Sequence, residues 1–186
     1  MTKDLKMTTA HRFLHWGIGL LISVSFLTGF LRETWMSKKR MAAIIQDNWS
    51  DITKEEAIKL ASSIRAPMWE WHIYAAYLIV GLFLVRVIYM VVKGIKFPNP
   101  FSSQSQGKEK LEGIVYIAFY LLITLNVLTG FYHLWGTEPS LRKLSGEIHT
   151  WSIYWFPIFI LLHLGGIYLA EKSNQKGIAS KMIGGD

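Results

Sequence analysis

The stretch EIHTWSIYWFPIFILLHLGG, Glu147 to Gly166, places two histidines, His149 and His163, in a segment apolar enough to lie in lipid. A polar side chain without a partner in hydrocarbon is costly, so a membrane span that carries two imidazoles has a use for them. The two are fourteen residues apart. On a straight α-helix that spacing returns to within about 40° of the same face after a rise of about 21 Å. Both side chains are therefore expected on one face of the helix, near opposite membrane surfaces.

The rest of the chain supports a membrane reading. Its 186 residues are 51% apolar and 14% aromatic, with a formal charge of +7. The apolar residues are gathered into four blocks near the length of about 20 residues that crosses a bilayer: 13–31, 73–92, 113–137 and 148–170. The predicted fold is an all-α, integral membrane four-helix bundle in a single domain, with 32–70 as an extramembrane connection. The first block follows a basic start, but it is too long for a signal-peptide core and has no Ala-x-Ala exit, so it reads as a span. The chain contains no cysteine, which excludes iron–sulfur ligation, covalent haem attachment through Cys-x-x-Cys-His, and disulfides. Its Lys and Arg residues lie between the spans rather than in one patch, so the partner of the basic charge is membrane lipid and not nucleic acid.

Four spans put both termini on one side. With the termini in the cytoplasm, ten Lys and Arg residues lie inside, including Lys3, Lys6, Lys96 and Lys176, and nine lie outside, Arg86 being the last of the 20. Seven of the outer nine fall in the long connection, where charge counts carry least weight. That connection contains two amphipathic stretches, SKKRMAAIIQ (37–46) and TKEEAIKLASSI (53–64). The second opens with Thr53 three before Glu56, a capping-box pattern, and Pro67 is expected to close it. The short element LTGF occurs twice, at 27–30 and 128–131, and packing between helices through small residues is the expectation for it.

On this topology the histidines fall into pairs. His15 opens the first span at the inner surface, and His163 lies towards the inner end of the fourth. His72 opens the second span and His149 the fourth, both at the outer surface. Two imidazoles on facing helices suit a six-coordinate haem, one above the iron and one below. The pattern therefore predicts two b-type haems stacked across the bilayer, one between His15 and His163, the other between His72 and His149. Proton relays and divalent-metal transport also use membrane histidines, but they recruit acidic partners, and the four blocks contain no Asp or Glu.

Arg86, the single charge of the second block, lies fourteen residues after His72, on the same face but at the inner level. A cation there suits a haem propionate, and Arg12, three residues before His15, can serve the same end. Gly29 and Gly130 fall at the outer level, where a flat cofactor needs room. His11 reads as an interfacial residue, and His133, near the outer level, as either a satisfied interfacial histidine or a contact to a propionate or quinone.

Taken together, RFLHW in the first span, WEWHIYAAYLIVGLFLVRVIY across the second, the LTGF elements and HTWSIYWFPIFILLH in the fourth resemble the bacterial cytochrome b561 and hydrogenase b-type cytochrome superfamily, from Arg12 to Ala170. The resemblance implies a dihaem bundle in the bacterial cytoplasmic (inner) membrane that exchanges electrons with quinone and passes them across the membrane. It implies His15, His72, His149 and His163 as iron ligands, with Arg12 and Arg86 as propionate contacts. The long connection after the first span departs from the shortest members and favours a redox subunit or a soluble cytochrome docked outside. The other readings are a stand-alone quinol/quinone oxidoreductase with a small acceptor such as superoxide and, from a different class, a non-redox transporter or assembly factor.

Overall fold

The computed structural model describes residues 7–95, 98–103, 107–172 and 177–185. Lys3, Lys6, Lys96 and Lys176 of the expected inner basic set lie outside the described residues. Among those described, the protein is helical throughout: α1 (Thr9–Glu33), α2 (Lys38–Asn48), α3 (Lys54–Lys93), α4 (Gly107–Trp135), α5 (Pro139–Thr150), α6 (Ser152–Glu171) and α7 (Ile178–Ile183). Four helical stretches are long and apolar enough to cross a membrane, with α5 and α6 together making the fourth. Large apolar side chains such as Leu20, Leu121 and Leu161 are exposed along them, as a lipid-solvated surface allows. The chain divides into two compact units, Gly17–Leu82 and the remainder.

In the unit Gly17–Leu82, α2 and the start of α3 share a small core of Ala42, Ile45, Ala57 and Ala61, flanked by Met41, Ile52 and Ile58. Ala57 and Ala61 are fully buried; they are one helical turn apart and small, which lets α2 approach. The N-terminus of α3 carries the expected capping box. Glu56 Oε2 accepts from the Thr53 N–H (2.9 Å), and the Glu56 N–H donates to Thr53 Oγ1 (3.3 Å). Pro67 does not close the helix, contrary to the sequence expectation: α3 runs unbroken for 40 residues. Proline forfeits one ladder bond and crowds the carbonyl four residues back. Here the turns before it are held by the packing of Ala57 and Ala61 against α2.

The other unit contains the start of α1, the end of α3, and α4 to α7. Glu138 caps α5, with Pro139 in the first turn. Its carboxylate accepts from Ser140 Oγ (2.6 Å) and the Leu141 N–H (3.0 Å), bonds that hold it below the usual carboxylate range. The expected span over 148–170 lies within the fourth apolar stretch, where α5 passes into α6 through a tightened turn at Trp151. The Trp151 N–H donates to Ile148 O (3.1 Å) and the Tyr154 N–H to Trp151 O (3.0 Å), the i→i−3 pattern of a tightened turn. Pro157 inside α6 cannot donate to the carbonyl of residue 153, which weakens the ladder just past that turn. His149 thus belongs to α5 and His163 to α6.

Helix α7 was not expected from the sequence. Glu171 at the end of α6 accepts from the Gly177 and Ala179 N–H groups (both 2.8 Å). At its other end the Ile183 carbonyl accepts from Arg12 Nη1 (2.9 Å), and that of Met182 from Trp16 Nε1 (3.1 Å).

Candidate haem-binding site

His15 on α1 and His163 on α6 face each other with ring centroids 5.9 Å apart and planes inclined at 42°. An iron bonded to one nitrogen of each ring at about 2 Å would hold the centroids about 6 Å apart. The pair therefore has the separation that bis-imidazole ligation requires. His163 stacks on Phe159 (5.6 Å), and Phe159 on Phe119 of α4 (4.2 Å). Arg86 lies within electrostatic reach of both histidines, and its Nε donates to Tyr120 Oη (3.1 Å), whose hydroxyl reaches Met90 Sδ (3.4 Å). Tyr120 carries no signal in the sequence, since a tyrosine in an apolar helix follows no spacing rule.

Arg12 is engaged by the C-terminal turn through Ile183. Its Nη2 is 3.5 Å from Thr9 Oγ1, and its buried Nε has no hydrogen-bond partner among the described residues. An orphaned guanidinium N–H three residues from His15 is what a carboxylate-bearing cofactor would satisfy.

His72 and His149 are held differently, and the two LTGF elements explain how. His72 Nδ1 donates to the Ser25 carbonyl (2.9 Å), and His149 Nδ1 to the Asn126 carbonyl (2.8 Å). Each acceptor lies four residues before the glycine of an LTGF element. A carbonyl has a second lone pair beyond the one used in the helix ladder. A side chain at the next turn would crowd a ring reaching that lone pair. A Cβ at Gly130 would sit 2.8 Å from the His149 ring, whereas one at Gly29 would make an ordinary 3.5 Å contact with His72. The threonines repeat as well: Thr28 Oγ1 donates to Val24 O and Ser25 O (2.8 and 2.9 Å), Thr129 Oγ1 to Leu125 O and Asn126 O (2.8 and 3.1 Å). Thr28 Oγ1 also lies 3.1 Å from His72 Nδ1.

A ring whose Nδ1–H is given to a carbonyl carries its lone pair on Nε2, the tautomer of a metal-bound histidine. The room left by Gly29 and Gly130, expected to admit a flat cofactor, is where these two imidazoles approach the helix backbone. The repeat was visible in the sequence, but its attachment to the histidines was not.

The remaining histidines have local partners. His133 Nδ1 is 2.9 Å from the Arg142 carbonyl, and Arg142 Nε donates back to the His133 carbonyl (3.3 Å), joining the end of α4 to α5. His11 lies edge-on to Tyr89 at 6.3 Å. Among the described residues no group of three or more His, Cys, Asp or Glu side chains comes together.

An all-helical chain with four apolar stretches long enough to cross a membrane is a multi-pass membrane protein. The prokaryotic cytochrome b561 family profile matches residues 6–185, nearly the whole chain, and the protein belongs to that family. It is accordingly a membrane b-type cytochrome of electron transfer, and b-type haem is the cofactor its family implies. No curated protein and no solved structure matches the chain.

Proposed function

We propose that the protein is a dihaem electron conduit in the bacterial inner membrane, exchanging electrons between the quinone pool and a redox protein on the extracytoplasmic side. His15 and His163 hold the inner haem, and His72 and His149 the outer one. The observation that carries the reading is the facing His15–His163 pair at 5.9 Å, on helices that lie far apart in sequence. Bound between two imidazoles, haem supplies reversible one-electron transfer with no open iron position for oxygen.

The chain's own residues supply placement and charge. Ser25 and Asn126 fix the tautomer of the outer histidines through their carbonyls. Arg86, kept in place by Tyr120, and Arg12, through its free Nε, put positive charge beside the inner ligands, where propionates need it. Residues 32–70 remain outside the membrane, both termini lie in the cytoplasm, and the spans correspond to 13–31, 73–92, 113–137 and 148–170. The α2–α3 hairpin, with exposed Lys38, Lys39 and Arg40, provides a docking face for a soluble cytochrome or partner subunit. Charge-mediated docking would slow as ionic strength rises.

The test is the pyridine haemochrome content of the purified, well-folded protein. Two haems b per chain are expected, reducible by quinol; one haem, or none, overturns the dihaem reading.

A further inference from the structure

Near the end of α1 two arginines meet with no acid paired to either among the described residues. Arg32 Nη1 donates to the Arg65 carbonyl (3.0 Å), and Arg65 Nη2 donates to the Arg32 carbonyl (2.8 Å). Arg65 is only 6% exposed, and its buried Nε has no partner among the described residues. Glu33, next in sequence to Arg32, is exposed and acts on Arg32 only at a distance, with no ion pair between them. The one ion pair among the described residues is Lys143–Glu147, elsewhere in the chain.

The reciprocal bonds to carbonyls account for one nitrogen of each fork but not for the charge. Two guanidinium groups bring two positive charges. The carbonyl end of α1 offsets about half an elementary charge. A buried cation lacking a counter-ion is expensive enough that proteins rarely keep one without a ligand. The unused Nε of Arg65 also marks the direction in which an acceptor is missing.

The pair is connected to a candidate ligand histidine. The Arg32 guanidinium lies 5.0 Å over the ring of Trp69. Trp69 in turn stacks on the His72 imidazole, with centroids 5.8 Å apart and planes only 5° from parallel. Arg65 precedes His72 by seven residues, two turns of α3, a rise of about 10 Å on nearly the same helix face. Guanidinium, indole and imidazole thus form one column, and the second guanidinium is bonded to the backbone of the residue that heads it.

We infer that Arg32 and Arg65 form a binding site for one oxyanionic group, a carboxylate or phosphate, placed two turns along α3 from His72. Two sources carry that chemistry here: a propionate of the haem that His72 ligates, or the phosphate of an anionic lipid. The propionate source rests on the haem assignment of His72 made above; the lipid source does not.

Holoprotein purified in mild detergent tests the site with Arg65→Gln, the half-buried Arg32→Gln, and Arg65→Lys, which keeps the charge but not the fork. Haem content, the midpoint potential of each haem, and tightly bound phospholipid by native mass spectrometry are read on the same samples. With a propionate source, both Gln variants lower the potential of one haem and speed its loss on dilution, Arg65→Lys restores the potential in part, and bound lipid is unchanged. With a lipid source, both Gln variants lose one bound phospholipid per chain and the potentials stay put. Unchanged potentials, haem retention and bound lipid in Arg32→Gln, a variant with wild-type melting temperature, overturn the site. Wild-type protein lacking haem would overturn the functional reading instead, and the lipid count would then decide the anion site alone.

Discussion

The two kinds of histidine in this chain are held by opposite means. His15 and His163 face each other directly, each packed against an aromatic ring, Trp16 and Phe159, with no hydrogen bond to either imidazole among the described residues. His72 and His149 are each tied through Nδ1 to a helix carbonyl beside an LTGF element. The first pair has the separation of a ligated iron and is held by aromatic packing; the other two have a fixed tautomer. A ligand whose Nδ1–H is bonded to an acceptor is the more basic donor. The outer haem is therefore expected to be the more tightly oriented site, and the inner one the site tuned by nearby charge from Arg86.

The largest effect that could break this comparison comes from removing a ligand. His149→Ala and His72→Ala should each cost one haem per chain and spare the haem held by His15 and His163, as read by pyridine haemochrome and the remaining redox titration wave. Two unrelated spectral species among these variants would mean that the histidines do not work as proposed.

Next comes the pair of glycines, alike in sequence and unlike in space. Gly130→Ala forces a Cβ to 2.8 Å from the His149 ring, while Gly29→Ala meets His72 at 3.5 Å. Overpacking at the tighter site should cost about 1–3 kcal/mol. Gly130→Ala should show displaced outer-haem spectra and a lowered melting temperature; Gly29→Ala should be close to wild type in both. Equal behaviour of the two would dissolve the distinction between the clamps.

A smaller effect is expected at Arg86. Arg86→Leu removes a positive charge near the His15–His163 pair, and a cation favours the reduced, more electron-rich cofactor. The inner midpoint potential should fall by roughly 60 mV, a tenfold change in the one-electron equilibrium, with the outer potential unmoved in a redox titration. The smallest effect belongs to the capping box: Thr53→Ala should cost the α2–α3 hairpin about 1 kcal/mol, seen as faster amide exchange in α2, with both haem spectra unchanged.

What the sequence made legible follows from which signals are local. The four apolar stretches and the capping box at Thr53 depend on composition and spacing alone, and the structure carries all four stretches as helix. Pro67 misleads because its penalty is local while the packing that holds the turns before it, Ala57 and Ala61 against α2, comes from elsewhere in the chain. Helix α7 was invisible for a similar reason: six residues cannot form a stable helix alone, and this one depends on Glu171, Arg12 and Trp16. The LTGF repeat was seen and read as packing between helices. Its tie to the histidines needed the placement of His72 against α1 and of His149 against α4, which no spacing rule contains.

The central claim is that His15 and His163 hold the same iron. Single substitutions can each leave one haem whether or not the two residues share it, but the double variant His15→Ala/His163→Ala cannot. If the two ligate one haem, the purified double variant retains one haem b per chain with the redox and optical signature of the outer site. If they ligate different haems, it retains none, and the account fails.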